Sequence, residues 1–483
     1  MTLRSRTRWA LQRAVQHLGP DPADLPMSTW RLDRSGAGAL TLDGHALESL
    51  LQRFGSPLHI VTGALLKENA ARFTARPRDS VRACEVFYSY KTNPVPGVLS
   101  ALHALGLGAE VTSPYELWLA RRLGVAPEKI VYNGPAKTLD SVREAIAMEV
   151  GLFNLNTVEE IAPVATLACS LGKRLRVGIR VGLPGAIAGQ FGELVDDGSA
   201  LHAYREAVKY PSLEVIGMHA HLNKEISSQR HLDGFLAAMV RFTDELNERL
   251  GLSLQVLDLG GNLACPTVSS RSPLATRLEL AFGREGPHRS PETVLRIDDY
   301  VTSVVNTIEG HFRRQRRPAP RVFLEPGRAL TSSSQMLLCR VAAVRESNGS
   351  RPSFAVLDGG INVAEPMRSE HHHLFQLAQT PGARLRTYRL SGPSCTLGDL
   401  LYQARSLAQL RVGDGLAIMD SGAYFVPYST CFSFPRPAVV MVDGSDVRIF
   451  RRAETFEDLV ALDEGVAART DEALPPDGVA VPA

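Results

Sequence analysis

Eight short apolar runs, each followed by a segment of helical period, constrain this chain more than any other feature. They are EVFYSYK (85–91), AEVTS (109–113), IVYNG (130–134), LFNLN (152–156), RVGIRVG (176–182), VIGMHAHL (215–222), QVLDLGG (255–261) and RVFLEPGR (321–328). Apolar runs this short, bounded by turn residues, read as buried strands. The stretches between them include PYELWLARRLG (114–124) and Ser228–Leu250, where Leu232, Phe235, Met239, Phe242 and Leu246 share one helical face. Alternating strand and helix implies a parallel sheet, and eight units over about 240 residues is the count of a closed (β/α)₈ barrel. The competing arrangement is an open doubly wound sheet, but no GxGxxG follows the first strand.

After Arg328 the pattern changes. MLLCRVAAV (336–344), SFAVLDGG (353–360), LRTYRLSG (385–392), DGLAIMDSG (414–422) and AVVMVDGSDVRIFRR (438–452) are strand-like and separated by Gly and Asp turns, which predicts an all-β domain. Val442–Ser445 is a hairpin turn signal, and the alternating Trp30–His45 stretch is expected to supply the first strands of that domain. The division is then a basic N-terminal extension (1–27), strands joining the β domain (28–56), the barrel (57–328), the β domain (329–468) and a disordered Pro/Ala/Asp-rich tail (469–483). Residues 264–292, rich in Pro, Ser and Arg, read as an inserted surface loop.

Composition narrows the function classes. The chain has 483 residues, 53 Lys+Arg against 51 Asp+Glu and a formal net charge of +2, so no strong field recruits nucleic acid or acidic lipid. No apolar run approaches the roughly 18 residues of a membrane span. The arginine-bearing N-terminus lacks the continuous apolar core of a secretory signal. Its 6 cysteines are scattered without a CxxC pair, which excludes a zinc knuckle or disulfide framework and fits the reducing cytoplasm. A cytoplasmic enzyme is the expectation.

In such a barrel the reactive groups sit at the C-terminal strand ends. Here those ends carry Lys91, Ser113, Asn133, Asn156, Arg180, His221, Gly260–Asn262 and Glu325–Arg328. Lys91 leaves an apolar strand, and desolvation is expected to lower its pKa and make it a Schiff-base former; a lysine snorkelling from the barrel mouth is the bland alternative. Gly260 and Gly261 let backbone approach a phosphate, and Gly327 and Arg328 at the next strand supply amides and a guanidinium, the usual phosphate corner of these barrels. A tight turn explains either glycine pair alone. For Glu325 the plain reading is an ion pair with Arg328, and for His221 a hydrogen-bonded barrel histidine beside His219. The tract His371–His373 has no accompanying acid or cysteine set and reads as a solvated loop rather than a metal site. Cys395 in GPSC is either core filler or a reactive thiol, and Tyr424 in SGAY either packs or donates its hydroxyl.

Ten segments in order, FYSYKTNP, AEVTSPYEL, IVYNGPAKT, FNLN, GMHAHL, LDLGGN, LEPGRAL, LDGGIN, GPSCTLGD and SGAY with PRPAVVMVDG, together resemble the fold type III pyridoxal-phosphate decarboxylases. That family includes the diaminopimelate, ornithine and biosynthetic arginine decarboxylases, with diaminopimelate decarboxylase nearest, and the resemblance runs from about Gly55 to Leu459. It implies an alanine-racemase-like barrel and pyridoxal 5'-phosphate held through Lys91. It further implies His221 stacked on the ring, Glu325 at the pyridine nitrogen, and the phosphate bound by Gly260, Gly261, Gly327, Arg328 and the Tyr424 hydroxyl. Cys395 would reach across a head-to-tail homodimer as a catalytic proton donor. An acid at the pyridine nitrogen keeps the ring protonated and an effective electron sink, which favours decarboxylation over racemisation.

The substrate end departs from the pattern. The family's CES motif is Cys395-Thr396-Leu397 here, so the acid that meets a distal ammonium is absent. Its arginine for the distal carboxylate aligns with Glu365, with Arg368 close by. The HIGS serine is lost in His221-Leu222-Asn223-Lys224, the third glycine of the Gly-rich turn is Asn262, and the SNYN-like tyrosine is replaced within Thr430–Ser433. The resemblance therefore implies a decarboxylase of an amino acid or amino-acid conjugate with a changed pocket. A true meso-diaminopimelate decarboxylase, a racemase and a catalytically silent relative are the alternatives.

Overall fold

The computed structural model describes residues 25–78, 80–185, 189–222, 224–271, 279, 293–347, 353–380 and 382–464. The C-terminal tail, most of the basic extension and most of the 264–292 insertion lie outside them. Among the described residues no helix is long and apolar enough to cross a membrane.

All eight expected barrel strands form. They are β1 (Glu85–Ser89), β2 (Gly108–Val111), β3 (Ile130–Tyr132), β4 (Leu152–Leu155), β5 (Leu175–Gly182), β6 (Leu213–Ala220), β7 (Val256–Asp258) and β8 (Arg321–Leu324). Each pairs in parallel with the next, and β8 pairs with β1, so the sheet closes. The helices between them follow from local chemistry. Ser113 and Ser228 accept backbone N–H bonds at the starts of Pro114–Arg122 and Gln229–Leu250, and Gly251, at φ 67°, ends the second. Leu232, Phe235, Met239, Phe242 and Leu246 are buried against the barrel, as their spacing predicts.

The second domain is a sheet of β9 (Gln335–Arg345), β10 (Ser353–Leu357), β11 (Leu385–Ser391), β12 (Leu400–Ala408), β13 (Gly415–Ile418), β14 (Ala438–Asp443) and β15 (Asp446–Arg451), with the short strand Leu374–Gln376 paired to β13. β14 and β15 form the expected hairpin around Gly444, at φ 61°. Two details differ from the sequence reading. Leu58–Thr62 pairs with β9 on one side and β14 on the other, so the barrel's share of the chain begins after Thr62 rather than at residue 57. All five of its residues are buried, and its backbone groups find partners on both edges only at the centre of this sheet. The Trp30–His45 stretch forms its own three-stranded sheet of Leu32–Arg34, Leu40–Leu42 and His45–Ala46. It joins the β domain by packing Trp30, Leu32, Leu40 and Leu42 against Leu58, Met336 and Met419, with a Leu40 N–H bond of 2.7 Å to Leu377 O.

Candidate active site

Side chains alternate along a strand, so residues two apart face the same way. Phe87, Val131, Leu152, Ile216, Val256 and Phe323 point inward and form a separate apolar cluster that plugs the barrel. Gly108 completes this layer, because a Cβ there would lie 2.5 Å from Phe87. Moving two residues toward the C-terminal end of each strand gives the layer above: Ser89, Glu110, Asn133, Asn154, Asp258 and Glu325, with His219 brought into line by a bulge after Val215. The floor is hydrocarbon and the layer resting on it is polar.

That polar layer is one hydrogen-bonded net. Ser89 Oγ donates to Glu110 Oε2 at 2.6 Å, and Asn133 Nδ2 donates to Glu110 Oε1 at 2.9 Å and to Glu325 Oε1 at 2.6 Å. Asn154 Nδ2 donates to Asn133 Oδ1 at 2.8 Å and to Asp258 Oδ2 at 3.2 Å. His219 Nε2 lies 3.4 Å from Glu325 Oε2. Burial opposes the Glu325 charge, but His219, Lys91 and a hydrogen bond with Asp258 outweigh it and hold this carboxyl well below the usual range. Burial and the Glu325 carboxylate push Asp258 the other way, well above it.

Lys91 stands on this net at a short 3₁₀ turn (Tyr90–Thr92) after β1, with Nζ 3.0 Å from Glu110 Oε2. Burial lowers its pKa as expected, yet the carboxylates of Glu110 and Glu325 overcome that effect, and the ammonium is raised above its ordinary value. The sequence reading of a lowered pKa is thus corrected by acids on the two strands that flank β1. His221 is pushed down to about 3 by burial and by Lys91 and His219, so its ring is neutral. Lys91, Glu110, Asn133, Arg180, His219, His221, Asn262 and Glu325 line one cavity of about 410 Å³. Arg180 lies over the Phe191 ring at 4.4 Å in its wall.

The glycine turns pack beside this cavity, Gly260 and Gly261 against its lining residues His221 and Glu325 and Gly327 against Thr92. Gly260, at φ 62°, packs against His221, where a Cβ would approach to 2.6 Å; at Gly261 a Cβ would meet Glu325 O at 2.4 Å. A Cβ on Gly327 would come within 2.1 Å of Thr92 Oγ1, a buried hydroxyl with no hydrogen-bond partner among the described residues. Tyr424 N–H donates to Thr92 O at 2.9 Å, tying this β-domain turn to the Lys91 turn. Arg328 lies 5.2 Å from the Tyr424 ring, but it does not pair with Glu325. Its NH1 and NH2 hold Glu370 bidentately at 2.8 and 2.7 Å.

Glu370 is in turn 3.2 Å from His372 Nε2, and His372 Nδ1 is 2.9 Å from Met419 O. His371, His372 and His373 are all buried, which overturns the solvated-loop reading. They are packing and orienting groups: His373 contacts the Trp30 ring at 5.3 Å, and His372 carries Glu370. Glu110, Asn154, Asp258, Thr92 and Glu370 escaped the sequence reading. Glu110 and Asp258 carried a usable signal, since an acid flanked by apolar residues inside a buried strand requires a partner.

The structure brings neither Cys395 nor the three substrate-side positions Thr396, Glu365 and Arg368 into this cavity. Cys395 and Thr396 are exposed on the loop between β11 and β12, where Asp399 Oδ2 accepts the Ser394 N–H at 2.7 Å and holds the turn outward. Glu365 and Arg368 lie on a 3₁₀ turn, 3.9 Å apart and about half exposed.

Residues 68–332, more than half of the chain, match the family model described as pyridoxal-dependent decarboxylase, pyridoxal binding domain. The chain belongs to this family. A diaminopimelate decarboxylase of Zymomonas mobilis is 30% identical over 445 residues, which cover 89% of this chain and 97% of that protein. The Methanocaldococcus jannaschii diaminopimelate decarboxylase in complex with L-lysine superposes with a TM-score of 0.78 at 25% identity, covering 89% of this chain and 97% of that one. Lysine decarboxylase from Selenomonas ruminantium shares the fold, with a TM-score of 0.67 at 22% identity over 84% of this chain and 97% of that one. The chain is a pyridoxal-phosphate-dependent carboxy-lyase. Its residues suit that cofactor: an amine at the cavity wall, a buried anion below it, and glycine turns that admit no Cβ beside an unpartnered Thr92 hydroxyl.

Proposed function

We propose that this decarboxylase acts on an amino acid or amino-acid conjugate other than meso-diaminopimelate. The supporting observation is the rim of the site, where Thr396 and Glu365 stand at the two positions that in the resembling enzymes carry an acid and an arginine. A pocket built for a charged group rejects substrates without it, because its own charge is left unpaired. Reversing that charge turns the same rejection against diaminopimelate.

The cofactor supplies an electron sink for the bond to the departing carboxylate. Lys91 would hold it, with Glu110 orienting the amine at 3.0 Å. His221, held neutral at physiological pH by burial, would pack against the ring without adding a competing positive charge. Glu325, held ionised, would favour a proton on the ring nitrogen. The backbone at Gly260, Gly261 and Gly327 would hold the phosphate, together with Thr92, Tyr424 and Arg328. Cys395, exposed and outside the cavity of its own chain, would supply a proton in the site of a second copy if the protein forms a homodimer.

The test is CO₂ release by cofactor-loaded protein across meso-diaminopimelate, both enantiomers of lysine, ornithine, arginine and glutamate. Rapid turnover of meso-diaminopimelate would refute the changed-pocket reading and make this a lysine-pathway enzyme.

A further inference from the structure

Strand parity places two acids side by side at the heart of the site. Asp258 ends β7, Glu325 follows β8, and both are essentially inaccessible to solvent. Ligand atoms of Asp258, Glu325 and His219 all lie within 4.8 Å of one another. Their oxygens are already occupied by donors: Gly260 N–H to Asp258 Oδ1 at 3.0 Å, Asn154 to Asp258 Oδ2, and Asn133 to Glu325 Oε1. Donors on both acids suit a shared proton better than a bound cation, which would need those lone pairs. Two buried carboxyls this close, within 4.8 Å, do not readily both ionise.

We propose that Asp258 remains a neutral acid at physiological pH and donates a hydrogen bond to Glu325, as a positioning residue that keeps the negative charge on Glu325. This rests on the proposed role of Glu325 toward the ring nitrogen. The charged groups around the pair decide which acid keeps the proton. Glu325 faces His219 and Lys91, whereas Asp258 faces the Asn154 amide and the Gly260 amide, and Glu110 and Arg180 stand further round the same layer. The opposed pKa directions of the two acids agree with this assignment. Asp258 also anchors Gly260, so one side chain couples the phosphate turn to the ring-nitrogen acid.

Infrared spectroscopy of the full-length holoenzyme at neutral pH tests the idea. The expected result is a protonated-carboxyl C=O band that moves on ¹³C labelling of aspartate carboxyls, does not move on labelling of glutamate carboxyls, and is lost in Asp258→Asn. The same band in cofactor-free protein separates this claim from the assignment of the cofactor. Absence of the band, or its movement with the glutamate label, would overturn the proposal. A second arm follows the ring nitrogen of ¹⁵N-labelled cofactor by NMR. Asp258→Asn, which retains a donor, should keep that nitrogen protonated and bind cofactor within about threefold of the wild type, whereas Asp258→Ala should weaken binding by at least about tenfold. Identical behaviour of the two variants, with the ring nitrogen protonated in both, would reduce Asp258 to a structural anchor and reject the positioning role.

Discussion

The barrel interior and the β-domain rim approach the same chemistry in opposite ways. Inside the barrel, Glu110, Asn133, Asn154, Asp258 and Glu325 are buried and bonded to one another through strands distant in sequence. At the rim, Cys395, Thr396, Glu365 and Arg368 are solvent-exposed and outside the cavity of their own chain. A rigid, complete interior suits a cofactor that never changes. An exposed rim can be altered for a new substrate without disturbing the interior net, because exposed positions contribute little to folding.

The sharpest way to break this contrast is Lys91→Ala. It should lower CO₂ release by about 10³-fold or more while cofactor still binds noncovalently; retention of full activity would remove the interior from the chemistry. Glu325→Gln comes next, with an expected loss of about 10²–10³ in kcat and little change in KM, as for removal of one preorganised electrostatic partner. The rim is probed by gain rather than loss. The double variant Thr396→Glu with Glu365→Arg should raise kcat/KM for meso-diaminopimelate by about tenfold or more, and no gain would mean that specificity resides elsewhere.

Smaller effects sharpen the comparison through stability. Glu370→Gln breaks the bidentate bond to Arg328 and should lower unfolding free energy by about 1–3 kcal/mol, read from the urea midpoint. His221 and the β-domain core residue His59 are both held to about 3, chiefly by burial, against 6.5 in the unfolded chain. Below pH 6.5 the unfolded chain takes up protons that the folded protein refuses, so stability falls as pH drops from about 6.5 toward 3, by at most about 1.4 kcal/mol per pH unit for each histidine. Urea midpoints between pH 7 and 5 should show that fall, and His59→Gln should flatten it. An unchanged slope in the variant would mean that His59 does not contribute.

Several site residues were legible because the strand pattern located them. Lys91, His221 and Glu325 sit at strand ends, as the eight-unit rhythm requires, and the glycine pairs stand where backbone packs too tightly for a Cβ. The acids Glu110 and Asp258 were less visible. Their motifs were plain, but the meaning of a buried acid depends on what faces it, and Asn133, Asn154 and Lys91 arrive from other strands. Glu370 was hidden for the same reason, since its partner Arg328 is 42 residues away. The histidine tract misled because three polar residues in a row resemble a loop, while Trp30 and the Met419 carbonyl make that place a buried one.

By itself the sequence determined the barrel, the β domain, the lysine at the first strand's end and the family, because periodicity and ordered motifs are local properties of the chain. Only the tertiary structure decided the protonation of the site. It raised Lys91 rather than lowering it, separated the charges of Asp258 and Glu325, and committed Arg328 to Glu370. Charge state depends on distance and burial, and both are created only when strands far apart in the chain close into one ring.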